Sequence, residues 1–145
     1  MKKLLQLLNS NSTKGVDLGL LVLRLAGGLF MFYGHGMGKL GKIVSGAEIK
    51  FADPIGIGAV PSMYMAGFAE GICALLLAAG LLSRAVSLVM AGNFVVVWYL
   101  HSIVLGESFG DFELPLLYLF CYIALTLTGP GKYSLDTILF KRNAT

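Results

Sequence analysis

The chain has 145 residues, 57% of them hydrophobic and 13% charged, with a mean hydropathy of +0.80 and a formal charge of +3. A charged fraction about half that of soluble domains excludes a soluble globular domain and a disordered chain. So modest a positive charge gives no ground for nucleic-acid binding. What remains is a small integral membrane protein, a single domain over residues 1–145, with room for four spans of about 20 residues each.

The N-terminal MKKLLQLL is too short an apolar stretch for a signal peptide and is followed by polar residues, so it is expected to stay on the chain. Leu4, Leu5, Leu7 and Leu8 suit a short helix lying on the membrane surface. The predicted spans are 16–33, 62–82, 85–104 and 114–128. Each is apolar throughout rather than alternating, which reads as helix and not as barrel strand. The expected fold is therefore all-α: a polytopic four-transmembrane-helix bundle.

Between the first two spans, Gly34–Pro61 is read as a long outer loop. It carries too many apolar residues for a solvated linker, among them Leu40, Ile43, Phe51, Ile55 and Ile57. It is expected to dock on the bundle as a capping loop, with a plain interfacial segment as the alternative. Basic residues set the orientation. Lys2, Lys3, Lys14, Arg84, Lys132, Lys141 and Arg142 fall on one side, against Lys39, Lys42 and Lys50 on the other. Both termini are thus expected to be cytoplasmic, with Leu105–Glu113 as a second, acidic outer loop.

Polar residues inside the spans are the candidate site. Arg24 sits mid-span, at a cost of at least ~2.5 kcal/mol on insertion scales, so it is expected to face the bundle interior with a partner. Counting 1.5 Å per residue from the span ends brings it near the level of Glu70. An Arg24–Glu70 ion pair is expected, either as a structural clamp or as the wall of a cavity. His35 and His101 lie toward the outer side with Lys39 and Glu113. They either line one outward-facing pocket or hydrogen-bond to loop carbonyls. Imidazoles exchange protons near neutral pH, so Glu70 and His101 are the candidate catalytic proton acceptors. Arg24, His35, Lys39, Glu70 and His101 together are the candidate substrate-binding set for a quinone or small anion. Two histidines without further ligand spacing make a weak case for a haem or a metal, and none is assigned.

Asn93 is placed to bridge helices, Gly67-x-x-x-Gly71 to allow a close helix contact, and Tyr118 and Tyr122 to share a face. Cys73 and Cys121 form no C-x-x-C motif and read as buried small hydrophobes. No nucleotide-binding fingerprint is present, so any redox chemistry needs other chains.

Three motifs carry a resemblance. Arg24 followed by GHGMGKL, with His35, Gly36, Lys39 and Leu40, is the first; Glu70-Gly71 with Gly80, Leu81 and Arg84 is the second; GPGKYSLD over Gly129–Asp136 is the third. Together they resemble the DoxX family of small bacterial membrane proteins. The resemblance implies a four-helix bundle in the bacterial inner membrane. It also implies an oxidoreductase subunit linked to quinone and working with redox or periplasmic protein partners, and a homo-oligomer is compatible with it. The chain lacks the separate second domain of some sulfur-oxidising relatives, which argues against thiosulfate as substrate. The alternative is a non-enzymatic membrane scaffold or assembly protein that docks a periplasmic partner. In that reading Arg24 and Glu70 hold the bundle, and removing both together partly rescues the loss from removing Arg24.

Overall fold

A computed structural model describes residues 13–140; the N-terminal surface helix expected from Leu4–Leu8 lies outside them. The described residues form helices and no strands. Four helices are long and apolar enough to cross a membrane: α1 Thr13–Ser45, α2 Ala59–Ala79, α3 Ser83–Val104 and α4 Phe109–Thr128. A short α5, Leu135–Phe140, follows. Large apolar side chains such as Val22, Phe30, Leu88, Phe120 and Leu127 project outward from the four helices, as a lipid solvent requires and water would penalise.

Helix α1 does not stop at Tyr33. It passes through a π turn at Phe32–Gly36 and continues to Ser45, ending where Gly46 takes a left-handed φ of 66°. The loop expected over Gly34–Pro61 is therefore shortened to residues 46–58, and its first twelve residues are helix. The reason lies in the partner surface. Leu40 and Ile43, three residues apart on one face, lie over Gly67 and Gly71 of α2. A Cβ on Gly67 would come within 2.9 Å of the Ile43 side chain, and one on Gly71 within 2.6 Å of Leu40. The small-residue face of α2 thus receives the extension of α1.

Helix α2 ends in a Schellman motif. The Gly80 N–H donates to the Leu77 carbonyl at 3.0 Å and the Leu81 N–H to that of Leu76 at 2.9 Å, with Gly80 at φ 74°. Leu82 then adopts φ 51°, a conformation costing a non-glycine residue ~1–2 kcal/mol. Asp136, from the far end of the chain, holds this turn. Its Oδ1 accepts from the Leu82 N–H at 2.7 Å and its Oδ2 from the Ser83 N–H at 2.9 Å. Its own N–H donates to the Gly80 carbonyl at 2.9 Å. It thereby satisfies donors that open α3 and would otherwise be orphaned.

At the opposite, loop end, α4 is capped by Ser108, whose N–H and Oγ both donate to the Asp111 carboxylate at 3.1 and 2.7 Å. Helices α1 and α2 make the most extensive contact in the bundle, followed by α3 and α4. The core between the helices includes Met31, Cys73, Leu77, Met90, Phe94, Tyr122 and Leu125. Tyr122 is fully buried and donates to the Gly27 carbonyl of α1 at 3.0 Å. Its ring stacks on Tyr118 with centroids 5.9 Å apart, and the shared face expected for this pair is built into the core. Cys73 is buried and Cys121 half-buried, and both are free thiols.

Candidate functional site

Glu70 is buried in the middle of α2, on the π turn Phe68–Cys73. An isolated carboxylate there would be costly, and two neighbours answer it. Lys39 Nζ from the α1 extension lies 2.5 Å from Oε2, and Asn93 Nδ2 from α3 donates to Oε1 at 3.0 Å. Glu70 thus ties three helices together. Lys39 is flanked by the Phe51 ring, its ammonium 5.9 Å from the centroid, within the range of a cation–π contact.

The Arg24–Glu70 pair expected from the sequence does not form. Arg24 is fully buried, but at the other end of the bundle. Its guanidinium packs over Gly80, and Nη2 donates to the Tyr133 carbonyl. Glu70 precedes Gly80 by ten residues, which places the two charges about 15 Å apart along α2. The expectation counted Arg24 up from a span start at Val16 and Glu70 down from one at Ser62. With α1 running on to Ser45, Arg24 slides to the turn end and Lys39 takes its place beside the carboxylate. Gly36 fixes this register: a Cβ there would stand 2.1 Å from the Glu70 carbonyl oxygen.

A cavity of about 670 Å³ opens beside Glu70. His35, Lys39, Glu70, Asn93 and His101 all line it, so four of the five expected site residues converge and Arg24 does not. His35, Glu70 and His101 each sit on one of the three π turns, Phe32–Gly36, Phe68–Cys73 and Leu100–Val104. Such turns occur mostly as local bulges in α-helices, frequently at functional sites. His101 Nδ1 lies 2.5 Å from the carboxylate of Glu107. Glu113, grouped with the pocket from the sequence, is exposed and not among the cavity walls; Asp111 borders it instead. The remaining lining is mostly apolar, with Phe94, Leu114 and Tyr118 on the helices and Phe51, Ile55 and Ile57 from the 46–58 connection.

Asp53 gives that connection its shape. Its carboxylate accepts from the N–H groups of Ile57 and Gly58 at 2.9 and 2.7 Å and from Ser62 Oγ of α2 at 3.0 Å. These bonds, the one from Gly58 foremost, hold the Asp53 carboxyl below its ordinary 3.8. A depressed folded value stabilises above the ordinary one and fades as pH falls through the folded value. Amide-exchange protection at Gly58, corrected for intrinsic rates, is therefore expected to persist from neutral pH down to about 4 and to vanish below the shifted value. Asp53→Ala should remove it at every pH; a variant as protected as wild type would refute the role.

Sequence reasoning names Phe51 among the docking residues of the loop and Asp136 within GPGKYSLD, but gives no role to Asp53 and no partner to Glu107 or Asp136. The spacing of Asp53 before Gly56 and Gly58 was a readable turn signal. The Asp136–α3 and Glu107–His101 pairings have no local signature.

The DoxX family model matches residues 19–103, more than half of the chain and a stretch that holds Arg24, His35, Lys39, Glu70, Asn93 and His101. The chain belongs to the DoxX family. No curated protein and no solved structure matches it. The GPGKYSLD segment that packs beneath Arg24 lies beyond the matched residues of this DoxX protein, as does Asp111 at the cavity rim.

Proposed function

We propose that this DoxX protein is a multi-pass subunit of the bacterial inner membrane, with both termini cytoplasmic, whose cavity binds the head group of a quinone for a redox partner chain. The Lys39–Glu70–Asn93 cluster at the wall of a mostly apolar cavity carries this reading. Because Glu70 already balances Lys39, that wall favours a neutral ring with hydrogen-bonding oxygens over a small anion. The volume falls within the usual range for small-molecule pockets, and Phe94 and Tyr118 offer faces for a planar ring. Lys39 and Asn93 donate to a quinone carbonyl. Glu70 and the His101 nitrogen left by Glu107 each accept one of the two quinol protons while the two electrons pass to the partner. The excess of Lys and Arg at the turn end and in the flanking termini supports a cytoplasmic turn end.

Glu70→Gln leaves Lys39 without its counter-charge, so it is expected both to destabilise the bundle and to weaken binding of decylubiquinone at least about tenfold, or 1.4 kcal/mol. Lys39→Met combined with Glu70→Gln removes both charges and should recover stability without recovering binding. Isothermal titration and thermal unfolding of the purified protein read the two effects separately. Native mass spectrometry in mild detergent should find a retained quinone. Wild-type protein that neither retains nor binds quinone, or a stable double variant that binds as tightly as wild type, defeats the reading.

A further inference from the structure

The cavity has a wall missing on the lipid side. Met65 and Phe68 of α2 and Val89 of α3 line it and yet are 59%, 48% and 43% exposed on the bundle surface. Between them stands Gly92, also lining and also exposed, where an added Cβ would meet nothing within 4 Å. The packing explains the gap. Helix α2 contacts α3 through its π turn and the residues below it, whereas Ala59–Gly67 leans on the Met37–Ser45 extension of α1. The outer half of α2 therefore diverges from α3 and leaves a wedge. Its depth is set by α3: Val89 and Gly92 lie about 9 and 14 Å from Ser83, near the middle of a ~30 Å hydrocarbon core. Asn93, which binds Glu70, follows Gly92 directly. A polar anchor thus stands beside an opening at hydrocarbon depth.

Water and small ions do not travel at that depth, whereas an amphiphile with a long apolar chain does. Resting on the reading that the cavity takes a quinone head, we infer that the opening between α2 and α3 at Gly92 is a lateral portal. Through it a membrane amphiphile with one long isoprenoid or alkyl chain inserts its head from the bilayer. The head lies against Lys39, Glu70 and Asn93. The chain passes over Gly92, between Phe68 and Val89, and remains in lipid. Gly92 serves as the threshold because any side chain there would project into the opening.

The test compares a tailed probe, decylubiquinone, with its tail-less counterpart, ubiquinone-0, on wild type, Gly92→Ala and Gly92→Trp in nanodiscs. Wild type is expected to bind the tailed probe at least tenfold more tightly. Gly92→Trp should lose that advantage, the tailed probe weakening several-fold more than the tail-less one, with Gly92→Ala in between. Equal binding of both probes to wild type, or an unchanged preference in Gly92→Trp, overturns the portal and leaves the quinone reading standing. If neither probe binds wild type, the quinone reading fails, and a diazirine-bearing fatty acid then tests the portal alone. Photolabelling of Phe94 in wild type that is lost in Gly92→Trp supports it; no labelling of Phe94 in wild type overturns it.

Discussion

Arg24→Ala is expected to destabilise the protein by about 3–5 kcal/mol, the range seen when a large buried side chain is truncated and its space cannot collapse. The guanidinium is fully buried against Gly80, which Ser134 also approaches, and donates to the Tyr133 carbonyl. It therefore fastens the segment after α4 to the turn that joins α2 and α3. Asp17 adds a second fastening, accepting from the Lys132 N–H at 2.8 Å. Without Arg24 the Gly129–Phe140 segment should detach, and Asp136 with it. Leu82 would then lose the bond that supports its left-handed backbone. The expected observations are a lower unfolding midpoint in detergent and rapid proteolysis after Gly129. Gly80→Ala should behave alike, since its Cβ would fall 1.8 Å from Arg24 Nη1 at a φ of 74°. A double-mutant cycle separates this role from the sequence-based one. Arg24 and Glu70 share no contact, so Arg24→Ala and Glu70→Ala should add within about 0.5 kcal/mol, whereas Lys39 and Glu70 should couple. A partial rescue in the Arg24–Glu70 double variant would restore the ion pair that the structure replaces.

Gly36→Ala is expected to cost about 1–3 kcal/mol and to spoil the candidate site as well. The new Cβ would stand 2.1 Å from the Glu70 carbonyl oxygen and 2.7 Å from the Gly71 Cα. Both are backbone atoms, so relief requires α1 and α2 to part. Parting them draws Lys39 away from Glu70. The same helix supplies its controls. Gly34, Gly38 and Gly41 face open space, and alanine there should be neutral or stabilising by up to ~1 kcal/mol, because glycine is the poorer helix former. Gly71→Ala meets the Leu40 side chain first, which can rotate, and should be milder than Gly36→Ala. Equal effects at Gly36 and Gly38 would show that the crossing is not set by this contact.

The glycines show where sequence reading reaches its limit. GHGMGKLG presents Gly34, Gly36, Gly38 and Gly41 in one run, and nothing local marks Gly36 as the one pressed against a neighbouring backbone. The same run misled the reading of the first span, because glycines beside a histidine and a lysine look like a loop. Helix persists there because Leu40 and Ile43 bury against Gly67 and Gly71. That gain depends on a helix more than twenty residues further on.

The sequence by itself determined the four apolar helices, since a chain this poor in charge has to satisfy its backbone internally in lipid. The stop at Gly80, whose left-handed conformation favours glycine, fell inside the predicted second span of 62–82 and was not marked. The sequence also determined that Glu70, Lys39, His35 and His101 were worth bringing together, because ionisable groups in or beside a span face the protein interior. Only the tertiary structure decided which charge meets which. Pairing depends on relative helix heights to within a turn. Those heights were set by the continuation of α1 to Ser45 and the close crossing at Gly36, both consequences of helix-to-helix packing. Hence Arg24 went to the turn end to hold the segment after α4, and Lys39 went to Glu70.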